Sequence, residues 1–241
     1  MGEGVAYAGR DLESMSFARN YHDWILELFR PYLGSRLVEV GAGTGSFSEM
    51  LLARGAETLS LVEPSTEMYR RLVENVAGLS KSARVRTYND TFGRVAGRIR
   101  EEARPDSVIY VNVLEHVADD EAELALVCET LAPGGRVFVF VPALHWLYGN
   151  FDEMVGHRRR YSRRELEGKT SRAGFRVLKS VYFDSAGVLP WWVKYRLLRS
   201  RKMEPGTVKF YDDYCVPALK RIESVVPPPV GKNVLLVAEK I

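Results

Sequence analysis

From residue 36 onward the chain alternates two apolar patterns. The stretches RLVEVG (36–41), DSVIYVNVLEHV (106–117) and RVFVFVPA (136–143) are nearly continuous apolar runs. Runs this short and this rich in β-branched residues predict strands covered on both faces. ETLSLVEPS (57–65) is strand-like up to Pro64, and ARVRTYND (83–90) alternates and reads as the third strand. Between them FSEMLLARG (47–55), STEMYRRLVENVAG (65–78) and DDEAELALVCETLAPGG (119–135) carry helical spacing. The second opens on a capping-box-like Ser65–Met68 region and stops at Gly78; the third has acids in its first turn and stops at Pro-Gly-Gly. Strands alternating with helices of this length predict βαβ units, a parallel sheet and an α/β fold.

The rhythm changes after Pro142. Residues 143–161 are aromatic and basic without a clear period, until Ser162 starts a helix. GFRVLKSVYF (174–183) and NVLLVAEKI (233–241) read as two closing strands, with a partly helical insertion between them. Ahead of the sheet, Phe17, Tyr21, Trp24, Ile25, Leu28 and Phe29 recur at helical spacing, so residues 11–33 read as one or two amphipathic helices. These patterns predict a single domain. Residues 1–34 form an N-terminal cap and 35–142 the core. Residues 143–165 and 185–230 form a lid, and 166–184 and 231–241 the closing strands.

Composition narrows the class. The 241 residues are 46% hydrophobic and 27% charged, ordinary for a globular chain with a sizeable core. A net charge of +3 is far from the footprint of a dedicated nucleic-acid binder. Cys128 and Cys215 form neither a disulfide framework nor a metal spacing, which suits a reducing cytoplasm. The first residues lack the apolar segment of a secretory leader. The longest apolar runs, 137–144 and 186–193, fall short of the roughly 18–20 residues of a membrane span. Peripheral membrane contact stays open, as does a monomer or a homodimer.

The turn after the first strand, LVEVGAGTGSFSEML (37–51), carries the chemistry. Gly41, Gly43 and Gly45 let the backbone approach a ligand and open a helix N-terminus toward it. The dinucleotide fingerprint needs another glycine where Ser46 stands, and a phosphate loop needs a lysine that is absent. Glu39 repels phosphate and suits an ammonium group, and Glu63, at the end of the second strand, is placed to accept bonds from ribose hydroxyls. The ligand these residues fit has an amino group, a ribose and no phosphate.

Glu39-x-Gly41-x-Gly43-x-Gly45 resembles the first motif of the class I S-adenosylmethionine-dependent methyltransferases. The resemblance spans roughly residues 35–185 and the last strand. It implies a Rossmann-like, seven-stranded, mostly parallel sheet with helices on both faces, an antiparallel last strand and helical lid insertions. It also implies S-adenosylmethionine as cofactor and S-adenosylhomocysteine as product. In that family Gly41, Ala42, Gly43 and Gly45 would back onto the aminoacyl part, and Glu63, with Pro64 and Met68 beside it, would hold the ribose. Asn89, Asp90 and Thr91 would face the adenine. Asn112, Val113, Leu114 and His116 would pass beneath the cofactor. Tyr21 and Trp24 read either as helix core or as aromatic residues that close over the cofactor. A narrower resemblance, on LYGNFDEMVGHRRRYSRREL (147–166) with AGFRV and the later YF and LP, is to a bacterial subgroup near polysaccharide or glycolipid assembly. It is also, loosely, to the quinone-pathway O-methyltransferases.

Several side chains carry two readings each. His116 and His157 are candidate acid–base catalysts, or packing and loop residues. The cluster Arg158–Tyr161 reads as a lid orienting an anionic acceptor or as a solvated loop paired with local acids such as Asp152. Trp24, His145, Arg159, Tyr161 and Trp191 are the candidate acceptor contacts. The helix with Trp191, Trp192 and Tyr195 among Lys194, Arg196, Arg199 and Arg201 fits a pocket wall, a dimer contact or an interfacial membrane helix. The four histidines are scattered in sequence, so metal-independent transfer is expected. NVLEHV stands where DNA-type N-methyltransferases carry Asp/Asn-Pro-Pro-Tyr, which leaves oxygen of a small molecule (phenolic, sugar-linked or lipid-linked) ahead of nitrogen or carbon. The rival readings are a nicotinamide-dependent oxidoreductase and a non-catalytic cofactor-binding module.

Overall fold

The computed structural model describes residues 18–78 and 83–241. The expected stripe residue Phe17 lies outside them. The sheet has seven strands: β1 (Arg36–Val40), β2 (Thr58–Val62), β3 (Arg84–Tyr88), β4 (Ser107–Val111), β5 (Arg136–Pro142), β6 (Phe175–Phe183) and β7 (Asn233–Lys240). Their order is β3-β2-β1-β4-β5-β7-β6. The first five run parallel, and β7 is antiparallel to both β5 and β6.

Alternation along the central strands builds two cores. In β5, Phe138 and Phe140 point to one face and Val137, Val139 and Val141 to the other, all fully buried. The aromatic face is covered by α1 (Arg19–Phe29), through Tyr21, Trp24, Ile25, Leu26 and Phe29, and by Phe47 and Leu51 of α2 (Ser46–Ala53). Leu72 and Val76 of α3 (Thr66–Ala77) join that face. The valine face is covered by α4 (Phe92–Ala103), α5 (Asp120–Thr130) and later α7 (Arg163–Arg172). A strand buried on both sides has no polar face to show, hence the unbroken apolar runs.

The lid segment is more ordered than its sequence suggests. A 3-10 turn, His145–Leu147, leads into α6 (Asn150–Val155). The next helix, α7, starts at Ser162 as expected, its hydroxyl accepting from Glu165 N while Glu165 returns a bond to the Ser162 amide. The insertion after β6 contains α8 (Val188–Trp191), α9 (Pro205–Phe210) and α10 (Val216–Val225). Two stretches, Trp192–Leu197 and Tyr211–Cys215, are π-helical, a geometry frequent at functional sites. No helix among the described residues is long and apolar enough to cross a membrane.

Candidate functional site

The strand order reverses direction between β1 and β4, and open α/β sheets bind ligands outside the carboxyl ends of their strands at such a point. The glycine turn sits there. Gly41, Gly43 and Gly45 have φ of 71°, 57° and 90°, a left-handed course that side chains with a Cβ resist. The Gly41 and Ala42 amides donate to the Val62 carbonyl, which ties the turn to the end of β2. A Cβ at Gly41 would meet Val113 Cγ2 at 2.4 Å. The glycine turn and the segment after β4 are therefore in contact, as two walls of one crevice.

Glu63 stands across the crevice with two jobs already visible. Its Oε2 accepts from Gly43 N and its Oε1 from Ser65 N, each at 2.8 Å. A carboxylate has about four acceptor positions, so both oxygens can still take a hydroxyl. Burial pushes its pKa up, against the two amides that favour the ion. Glu39 does not stand at the mouth as expected. It lies beneath the turn, 3% exposed, accepting from Ser48 Oγ of α2. Burial pushes its carboxyl up to about 8, the Ser48 bond opposing and Glu63 adding to the rise.

The other expected cofactor contacts line the same edge. Asn89 donates to the Glu63 carbonyl at 2.9 Å and so shapes the β2 end, while Asp90 accepts from Thr91 N and stays partly open beside Arg94. Pro64 is exposed, and Met68, buried at the start of α3, donates its amide to Ser65 Oγ. Asn112 takes a φ of 54° where the chain leaves β4, and Leu114 is buried. Tyr21 is elsewhere. Its hydroxyl is bonded to Asp184 and Asn233, and its ring packs edge-on against Phe140 and Phe183. The neighbouring α1 residue His22 meets Phe47 of α2, the ring centres 5.8 Å apart. Burial lowers its pKa to about 4.

The basic cluster is a brace and not a free lid. Arg158 N donates to the Glu115 carbonyl, and Arg158 Nε to that of His116. Arg159 is held by Asp120 and the Ala118 carbonyl, and Tyr161 OH by Asp120 and the Leu114 carbonyl. Arg160 is fully buried, bonded twice to Asp152. These groups pin the 156–161 segment along the 114–118 segment, so the expected acceptor contacts Arg159 and Tyr161 have their polar atoms already committed. His145 is 59% exposed and paired with Glu165, and Trp24 is core, stacked on Phe183. Neither reaches the crevice.

Trp191 faces a cavity. With Tyr21, Pro190, Tyr195, Tyr211 and Lys232 it lines a cavity of 160 Å³ between α1 and the insertion. Lys232 Nζ lies 5.1, 5.4 and 5.9 Å from the ring centres of Tyr21, Trp191 and Tyr211, and pairs with buried Asp184 at 2.7 Å. A chain of contacts leads from this cavity to the crevice. Trp191 lies under the Arg160 guanidinium at 5.0 Å, Arg160 binds Asp152, and Asp152 binds His157 Nδ1 at 2.8 Å. The His157 ring is 4.8 Å from that of His116. Histidines that are scattered in sequence are thus partly gathered in space.

Comparison with known proteins follows this geometry. A family profile described as "Methyltransferase domain" matches residues 13–180. The ubiquinone biosynthesis O-methyltransferase of Xanthomonas axonopodis pv. citri (strain 306) is 30% identical over 107 residues, 44% of this chain. The one from Cereibacter sphaeroides is 35% identical over 106 residues, again 44% of this chain. The matches span only 42% and 40% of those relatives' lengths. A solved SAM-dependent methyltransferase from Archaeoglobus fulgidus superposes with a TM-score of 0.59 at 16% identity, over 95% of this chain and 99% of its own. The N-methyltransferase NodS from Bradyrhizobium japonicum WM9, solved with S-adenosyl-L-homocysteine, gives 0.56 at 13% identity, over 93% of this chain and 87% of its own.

Proposed function

Since the chain belongs to the class I S-adenosylmethionine-dependent methyltransferases, we propose that it transfers the methyl group of that cofactor to a hydroxyl oxygen of a small molecule. The observation that carries the reading is the Glu63 carboxylate, bonded to Gly43 N on one oxygen and Ser65 N on the other, at the carboxyl end of β2. There it fixes the glycine turn and keeps lone pairs for two ribose hydroxyls. The cofactor supplies an electrophilic methyl carbon and its own leaving group.

The rest is positioning by this chain's residues. The turn at 41–45 and the segment 112–114 set the crevice width. The cavity beside Trp191 and Tyr211 offers aromatic walls to an acceptor, with Lys232 at its edge. Aligning a nucleophile about 3–3.5 Å from the reacting carbon supplies most of the rate that such a site can give. The relatives named as O-methyltransferases support oxygen as the target. His116, lowered to about 4 mainly by burial and further by His157, is neutral at pH 7 and able to accept a hydroxyl proton's hydrogen bond. So weak a base removes that proton poorly, because general bases work best with a pKa near the operating pH.

The test is release of S-adenosylhomocysteine from S-adenosylmethionine in the presence of phenolic, sugar-linked and lipid-linked hydroxyl compounds. Turnover with a hydroxyl acceptor, absent from its methyl ether, is the expected result. Turnover only with amines would overturn the oxygen assignment, and NADH binding in place of S-adenosylhomocysteine would overturn the cofactor.

A further inference from the structure

Glu115 is fully buried, and neither of its carboxylate oxygens has a hydrogen-bond partner. Leaving such a group unsatisfied is costly, so it points to something that it binds. His157 Nε2 lies 3.6 Å from Oε1, too long for a hydrogen bond. Ligand atoms of Glu115, His116 and His157 all lie within 4.8 Å of one another. Two donors bound at about 2.1 Å sit at most about 4.2 Å apart, so a small side-chain contraction brings all three onto one ion.

Both imidazoles are held in the way that metal ligands are held. His157 Nδ1 is 2.8 Å from Asp152 Oδ1, an acceptor only, so Nδ1 carries the proton and Nε2 turns its lone pair toward Glu115. Asp152 is itself fixed by Arg160. His116 Nδ1 lies 3.2 Å from the Gly156 carbonyl, which assigns its proton in the same way. The three residues come from two segments, 115–116 and 157, that the Arg158–Tyr161 brace holds side by side.

We propose that Glu115, His116 and His157 bind one divalent transition-metal ion, of the zinc, manganese or cobalt kind that two imidazoles and a carboxylate suit. Three protein ligands leave positions open for a substrate oxygen. The role that follows rests on the hydroxyl reading above: a hydroxyl bound to the ion would lose its proton more readily. Binding of the ion itself is independent of that reading.

The experiment is titration of the full chain with zinc or manganese by calorimetry, and with cobalt(II) by its visible absorption. The wild type is expected to take up one equivalent, with ligand-field bands of nitrogen and oxygen coordination. Glu115→Gln, nearly isosteric, and His157→Gln should each weaken binding at least tenfold. His145→Gln, on the exposed side of the lid, should leave it unchanged. Calorimetry with S-adenosylhomocysteine on the same variants reports the cofactor crevice, so retained cofactor binding shows a folded chain and separates failure at the metal from failure of the proposed function. No uptake by the wild type, or equal uptake by Glu115→Gln and His157→Gln, would overturn the site.

Discussion

Glu39 and Glu63 sit in one turn and differ in what surrounds them. Glu63 has two backbone amides on it, and Glu39 has one serine hydroxyl and no cation. The consequence for Glu39 is a pH dependence with a definite sign. Its folded pKa of about 8 lies above the ordinary 4.5, so the folded state holds the proton more tightly. The stability it contributes is complete below about pH 4.5 and is lost as pH rises through about 8. Denaturant midpoints should fall across that window in the wild type, and the fall should flatten in Glu39→Gln; equal slopes would deny the burial effect. Glu63→Ala should cost two charge-assisted ribose bonds of about 1.5–3 kcal/mol each, a loss of at least a hundredfold in S-adenosylhomocysteine affinity by calorimetry. Arg160→Ala makes a different prediction. It leaves the Asp152 carboxylate buried without its cation, a change that costs about 3–5 kcal/mol and lowers the thermal midpoint by roughly 6–20 °C. A free lid arginine would have changed the acceptor Michaelis constant and left the midpoint alone.

Elements show which parts of the fold a reader can take from sequence. The strands of the doubly covered sheet announce themselves, because burial on both faces requires unbroken apolar runs such as 137–141. The turn at 41–45 does so too, since three positive φ values in five residues demand glycine. Gly41→Ala tests that turn: its Cβ would collide with Val113, and cofactor binding should vanish in calorimetry while the far-ultraviolet circular dichroism persists. The helix α4 is poorly marked, because Gly93 and Gly97 dilute its signal and two of the four residues that reach the core, Phe92, Ala96, Ile99 and Ala103, are alanines. The partners of the polar residues beyond the cofactor edge are not legible in sequence, for one reason. Sequence reveals that Arg159, Tyr161 and His145 are polar, and spacing does not reveal that Asp120 and Glu165 already hold them. Tyr21 and Trp24 share a helical stripe with His22 beside them, and only the angle at which α1 lies on the sheet decides which of the three packs on Phe47 of α2.

At the scale of the whole molecule, the cavity proposed for the acceptor is assembled from segments far apart in the sequence. The cavity draws Tyr21 from α1, Trp191 and Tyr211 from the insertion, and Lys232 from the approach to β7. Trp191→Ala should therefore raise the acceptor Michaelis constant several-fold and leave S-adenosylhomocysteine binding within twofold. Equal losses in both would place the acceptor elsewhere. The exposed apolar side chains Leu197, Leu198, Phe210 and Tyr214 lie on the outer side of the same insertion, among Arg196, Arg199 and Arg201.

The helix α1 has no side-chain cap of its own. Ala18 precedes it without a side-chain acceptor, and the orphan amides of Asn20 and Tyr21 are taken by the two oxygens of Asp212, some 190 positions later. During synthesis α1 leaves the ribosome well before the residue that caps it. Until the π-helical stretch Tyr211–Cys215 has emerged, its N-terminus frays and Tyr21 has no Asn233 to bind. The strands β1 to β5 can form without this contact, and the cavity lined by Tyr21, Trp191, Tyr211 and Lys232 closes only when α1 meets the segments around 212 and 232.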